Sequence, residues 1–366
     1  MKKILLILLM APAFICSAYA QSIPEEATYI FEVNRLEDGL SEEEKEISGN
    51  LSLDGSYDVG GAAGRLWKSF LSRLVNELKA NLECGTALIG IALICTFGEA
   101  VCEGSSISGY IELIGACAAA ALLIGGVDSI VSQTVEAMYR LSDYSKAALP
   151  VVFSAAAAGG AISSAGAKFA AVSFALDVLM SISQKLIIPT VYAFLALTVS
   201  NGAFPNPLLA GMARFTKWAA TILMTGMTIT FTAYIKLTGV MSAAVDASAV
   251  KTAKTIISNT LPVVGGMISD ASAMVLSAAG LIRNCAGVFG LVSVCALCIG
   301  PFAMLSVKMM VVKAASVVAE SLECSNLSNL LGGISSAMGL LMGLLGCCGI
   351  MLFISLTAGM KAVTGI

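Results

Sequence analysis

Past residue 85 the chain is a succession of charge-poor apolar stretches joined by short polar pieces, at 87–97, 107–127, 149–167, 169–183, 186–204, 218–235, 261–281, 288–301 and 340–360. A helix needs about 20 such residues to cross a hydrocarbon core about 30 Å thick. Some stretches are too short to cross alone, and others carry an acid near the middle, as with Glu112, Asp177 and Asp270. Helical spacing without strand-like alternation predicts an all-α, polytopic membrane protein with about seven full spans and a few half-spans or re-entrant pieces.

Ahead of this region the pattern changes twice. Leu66, Trp67, Phe70, Leu71, Leu74, Val75, Leu78 and Leu82 fall at helical spacing, with Arg65, Lys68, Arg73 and Lys79 between them. This predicts an amphipathic helix over 63–84 with a basic polar face. It can lie on the membrane surface, anchored by Trp67 and Lys68, or pack on the membrane domain. Before it, residues 21–62 read as an acidic extracytoplasmic arm, solvated and holding one short helix. Residues 1–20 have the parts of a secretory signal peptide: Lys2 and Lys3, an apolar run at 4–15, and a small-residue site ending at Ala18, Tyr19 and Ala20. The membrane domain then occupies 85–366.

Composition sharpens the division. The whole chain is 57% hydrophobic and 12% charged, with a net charge of −3. Residues 21–58 hold 11 of its 24 acids but only 2 of its 21 bases, so the long remainder is slightly basic.

Within the membrane domain Leu149, Pro150, Val151 and Val152 recur as Leu261, Pro262, Val263 and Val264, 112 residues on. Pro189 recurs as Pro301 at the same offset. The pattern predicts an internal tandem repeat of about 126–206 and 239–318, each copy carrying a proline-broken helical group. Interrupted helices in repeats are a habit of transporters, where the breaks open backbone groups to a cavity. Gly339 and Gly343 form a GxxxG step that permits close helix contact.

Chemistry is constrained most by what is missing. The chain has no histidine, which excludes a His-containing triad, a His-liganded zinc and a histidine relay. No Gly-x-x-x-x-Gly-Lys-Ser/Thr loop is present, and no basic patch points to nucleic acid. Neither an enzyme nor a bound cofactor or metal is expected. The cysteines fall mostly in apolar runs, Cys295 and Cys298 among them, where cysteine acts as a small hydrophobe. Cys84 and Cys102, flanking the first apolar stretch, are the pair to test for a disulfide. The candidate functional residues are intramembrane: Glu112, Asp177, Asp246 and Asp270, with Pro262, Gly265 and Gly266 breaking the helix before Asp270. An aspartate at a helix centre costs about 2.5–3.5 kcal/mol to insert, so the segment 261–281 needs protein, water or a membrane insertase to hold it. Each acid can instead pair structurally with a base such as Lys168, Lys185 or Arg283.

The acidic arm, Leu66-Trp67-Lys68-Ser69-Phe70, Phe97-Gly98-Glu99, Ala148-Leu149-Pro150-Val151-Val152 and Leu261-Pro262-Val263-Val264-Gly265-Gly266 with Ser269-Asp270-Ala271 together resemble the stage III sporulation protein AE family. The resemblance implies a membrane component of a secretion-like channel complex at the mother-cell (outer forespore) membrane, needed for forespore development and late sigma-factor activity. It implies as partners the other proteins of the stage III sporulation A operon and a forespore-made protein, besides membrane lipid. The reading from residues alone keeps an alternative open: a self-sufficient secondary transporter that couples ions through the intramembrane acids.

Overall fold

The structure is a computed structural model that describes residues 35–49, 58–102, 108–158, 162–260 and 265–360, and only the backbone at 59, 108–109, 162–164, 239–260 and 265–283. Among the described residues there is no strand. Two short helices, α1 (Arg35–Asp38) and α2 (Glu42–Ser48), precede the long ones: α3 (Val59–Val101), α4 (Ser108–Ala158), α5 (Ile162–Ile182), α6 (Ile188–Ala203), α7 (Pro207–Thr260), α8 (Gly265–Ser321) and α9 (Ser325–Met360). A π-helical turn, Ser183–Ile187, joins α5 to α6. Taking α5, the π turn and α6 as one rod, six helices among the described residues are long and apolar enough to cross a membrane, against the seven or so expected.

α3 shows why the expected boundary at residue 85 is missing. The Asp58 side chain accepts the Gly61 N–H at 2.8 Å and starts the helix, which then runs on through the amphipathic stretch into the first apolar one. Gly85 lies inside it, at a close helix contact: an added Cβ would come within 2.9 Å of the Val311 side chain. A glycine at such a point lets two backbones approach, and ends nothing. This continuity also overturns the proposed disulfide. Cys84 and Cys102 sit on one helix, about 27 Å apart at 1.5 Å per residue, where a bridge needs Cα atoms within about 7 Å.

The prolines are accommodated differently. Pro150 and Pro301 lie inside α4 and α8, whereas Pro189 stands in the first turn of α6. Proline lacks an N–H and crowds the carbonyl four residues back. Immediately before α6 the ladder widens to π spacing, with the Ile188 N–H donating to the Ser183 carbonyl five residues earlier. Pro262, which would pair with Pro150 in the repeat, lies outside the described residues.

α8 and α9 form an antiparallel hairpin at the centre, and the other helices pack around it. α8 contacts α3 and α4 on one side, and α9 is flanked by α4, α6 and α7. α3 runs parallel to α8, as shown by Arg73 near Gly300 and Thr96 near the Leu322 carbonyl. α7 runs parallel to α9, with Lys217 at Ser336 and Met224 at Cys347. One end of the bundle therefore gathers the C-termini of α3, α6 and α8 and the N-termini of α4, α7 and α9. We call it the turn end, and the opposite end, which carries α1 and α2, the arm end.

Charge is unevenly spread along this axis. α3 has Arg65, Lys68, Arg73, Glu77, Lys79 and Glu83 toward the arm end, then none from 84 to 98. α4 has none from 113 to 127, then Asp128, Glu136, Arg140, Asp143 and Lys146 toward the arm end. On these two helices the charge-free stretch lies toward the turn end; on α7 it is 218–235, which runs from the Lys217 contact with Ser336 toward the arm end.

Candidate functional site

At the turn end α8 stops in a tight reversal. The Cys324 N–H reaches back to the Ala319 carbonyl at 3.0 Å and the Glu323 N–H to Glu320 at 3.1 Å, with Glu323 left-handed at φ 65°. This is a Schellman ending in which a glutamate holds the place that glycine usually takes. Cys324, fully buried, tucks against α3, its thiol 3.8 Å from the Ala92 carbonyl and 3.5 Å from the Thr96 hydroxyl.

Glu112 completes the reversal from the other side. Its carboxylate accepts the backbone N–H of Asn326, the Asn326 side-chain amide at 3.1 Å and the Ser325 hydroxyl at 3.3 Å. These groups form the first turn of α9, whose unpaired N–H groups and helix dipole attract an anion. Glu112, a candidate for ion coupling, is thus placed as a cap supplied by a neighbouring helix.

Asp177 lies elsewhere, exposed on α5, where its field reaches Lys146 of α4. Lys146 itself pairs with Asp143 at 2.9 Å. Lys168 is buried and Lys185 is exposed in the π turn. Glu112 and Asp177 are therefore not brought together. Asp246 falls on α7, and Gly265, Gly266 and Asp270 on α8, at positions where only the backbone is described; their side chains, with that of Arg283, lie outside the described residues, as does Pro262 altogether. Among the described residues no three His, Cys, Asp or Glu side chains converge as a metal ion would require. Cys295 and Cys298 are buried in the apolar interior of α8.

The arm end holds an arrangement that the sequence reading missed. Over 35–49 the acidic segment is packed on the bundle, where a solvated arm was expected. In α2 the Glu44 carboxylate accepts the Ser41 N–H at 2.8 Å, and acids at Glu42, Glu43 and Glu44 suit the helix N-terminus. Gly49 ends it at φ 76°, donating to the Lys45 carbonyl at 2.7 Å; any side chain there would also run into the Arg65 guanidinium. Three arginines then fasten α2. Arg73 pairs with Glu43, and Arg140 with the buried Glu44. Arg65 donates to the Ile47 carbonyl at 3.1 Å and the Ser48 carbonyl at 3.3 Å. Beneath them Ile47 enters a cluster with Leu66 and Phe70 of α3 and Val292 and Ile299 of α8, while Leu36 of α1 is fully buried. Of the two places open to the amphipathic helix, the structure supplies the packed one, although Trp67, Leu71, Val75 and Leu78 remain exposed along its outer face. The warning lay in the charges, since the acid run at 42–46 complements the bases at Arg65 and Arg73. Lys45 stays outside the clasp with its pKa raised, chiefly by its hydrogen bond to Glu42 at 2.8 Å.

Residues 55–362 match the family described as stage III sporulation protein AE. The chain belongs to that family. A relative from Bacillus subtilis (strain 168), named stage III sporulation protein AE, is 22% identical over 295 residues, which cover 79% of this chain and 73% of the relative. No solved structure matches. The protein is thus a sporulation-related, multi-pass membrane protein. The match begins at residue 55, after α1 and α2, and takes in every helix of the bundle.

Proposed function

We propose that this protein is an integral subunit of a channel or secretion-like complex in the mother-cell membrane around the forespore, and that it has no catalytic activity or cofactor of its own. In this reading the arm end faces away from the cytoplasm after the signal peptide is removed. The complex includes the other products of the stage III sporulation A operon and a forespore-made partner, it sustains forespore development and late sigma-factor activity, and an insertase assists assembly. Family membership supports the setting. The single structural observation that carries the choice of subunit over self-sufficient permease is the place of Glu112. A coupling acid must face a cavity that opens and closes, whereas this carboxylate is spent on three donors at the head of α9. Asp177, on the outer surface of α5, likewise faces no conduit among the described residues.

The test is recovery of the tagged full-length chain from sporulating cells after mild cross-linking. The expected result is stoichiometric recovery of other products of the operon, with no solute uptake by the purified chain in liposomes. Recovery alone, together with ion-gradient-dependent uptake that Asp177→Asn or Asp270→Asn abolishes, would overturn the reading in favour of a permease.

A further inference from the structure

Between α7 and α8 the bundle is open. The two helices barely touch, and α9 is visible between them as the floor of a groove of about 680 Å³. That is within the range of about 300–1,000 Å³ usual for ligand sites. The floor is smooth because α9 presents Gly332, Ser336, Gly339 and Gly343 there. A Cβ placed on Gly343 would meet nothing closer than the Met224 side chain at 3.9 Å, so the glycine leaves real space.

The groove has two unlike ends. Toward the turn end stand Lys217 of α7 and Lys313 of α8, on opposite walls. The Lys217 ammonium donates to the Ser336 hydroxyl at 3.0 Å, and Lys313 is exposed and has no partner among the described residues. Ser316 bonds the Ser328 carbonyl and Ser335 the Met309 carbonyl, which sets Lys313 within about one turn of the Lys217 level. Toward the middle of the bundle the lining becomes more apolar, with Met224 on the α7 wall and Leu340 and Cys347 on the α9 floor. The groove's charged residues are both cations, and no acid lines it.

α7 shows what the lysine end of the groove stands beside. Lys217 is the last charge before an uncharged run at 218–235, about 27 Å long. Trp218 follows it, 58% exposed, with its ring 5.7 Å from that of Phe215. Exposed aromatics beside a cation at the border of an apolar run mark the headgroup level of a leaflet. On α7 the cationic end of the groove thus stands at the border of the charge-free run, as a lipid-phosphate site would, and the apolar end lies along that run, as an acyl-chain site would.

We propose that this groove is a binding site for an anionic phospholipid, its phosphate held between Lys217 and Lys313 and one acyl chain laid over Gly339 and Gly343. A two-fold pairing of grooves from two copies fits poorly, because an isologous contact would bring like-charged lysines together in a low-dielectric setting. A lipid satisfies both ends at once: its charge answers the lysines, and its chain fills a slot too smooth for the bundle's own side chains to close.

The experiment is native mass spectrometry of the full-length chain in detergent, titrated with phosphatidylglycerol, phosphatidylcholine or inorganic phosphate. Phosphatidylglycerol should bind more tightly than phosphatidylcholine by about tenfold, and K217Q/K313Q should remove most of that preference. G343L, which fills the slot, should weaken both lipids, and millimolar phosphate should not displace phosphatidylglycerol. An unchanged preference in K217Q/K313Q would overturn the site, as would full displacement by phosphate, which would indicate a free-anion site. A lipid-free dimer that G343L dissociates would assign the groove to a second copy of the chain. Should the double variant fail to accumulate, K313Q alone decides, because that exposed side chain supports nothing else: it should cost about threefold, and no change rejects the proposal.

Discussion

The central hairpin and the helices around it are apolar for different reasons. In the most apolar windows of α8 and α9, 83% and 72% of residues are buried inside the protein, against 17–33% in the surrounding spans. Helices α3 to α7 show large side chains such as Phe97, Ile114, Phe174 and Ile229 to the outside, where lipid would meet them. α9 is uncharged over its entire length because it is enclosed by protein, and its length of about 54 Å exceeds the hydrocarbon thickness. Hydrophobicity alone thus marks two materials, a membrane-facing shell and a protein-facing axle. Inside a bilayer the axle is held by close packing, since lipid tails are as apolar as leucine.

The difference is broken most directly by truncating one side chain in each region. Leu345→Ala, at a fully buried site on α9, should lower stability by about 2–5 kcal/mol, while Ile229→Ala, 63% exposed on α7, should stay within about 0.5 kcal/mol. Equilibrium unfolding in one detergent compares them, and equal losses would dissolve the distinction.

Next in size is the clasp that ties the arm end to the shell. Arg140→Ala leaves the buried Glu44 with only its Ser41 contact and should cost about 1–3 kcal/mol, discounted for the partly exposed arginine. Its distinctive sign is faster proteolysis between α2 and α3, with the bundle core still resistant. A core that loosens equally would make the arm part of the axle.

A smaller effect is expected where shell and axle meet. Glu112→Ala removes the cap on α9 and should cost about 0.5–2 kcal/mol, while Glu112→Gln should recover part of this by keeping an acceptor. If Gln is as damaging as Ala, in accumulation and in spore formation alike, charge at this position has a role beyond capping.

The smallest change sharpens the axle itself. Glu323→Gly relieves a left-handed residue and should stabilise the hairpin by about 0.5 kcal/mol, part of the relief being offset by the extra freedom of the unfolded chain. A raised melting temperature checks it, and a lowered one would mean that the Glu323 side chain holds something more valuable than its backbone costs.

Helix content, the membrane setting and the family were legible in the residues, because runs of apolar residues at helical spacing have few alternatives. Depth within the bundle was not. The stretches at 186–204 and 288–301 look alike as text, yet one faces outward over much of α6 and the other is buried in α8. Pair contacts were equally hidden: Glu112 reads as an intramembrane acid until Asn326 is placed beside it. The division at residue 85 rested on the change from an amphipathic to an apolar pattern, and only a neighbour such as Val311 shows Gly85 as a close contact inside one continuous helix. The clasp was half legible, since complementary charge at 42–46 and 65–73 was visible but Arg140, nearly a hundred residues away, was not.

The position of the hairpin also sets an order of events. α8 and α9 leave the ribosome after the helices that surround them, and their roughly 100 residues take about 5 to 20 s to make. Through that interval α3, α4, α6 and α7 exist without the element they are built to grip, and their inward faces, including Ala92, Val152 and Phe231, have only each other or lipid. A chain cut short at residue 260 would carry much of the shell with nothing to wind around, so assembly of this bundle finishes at its centre.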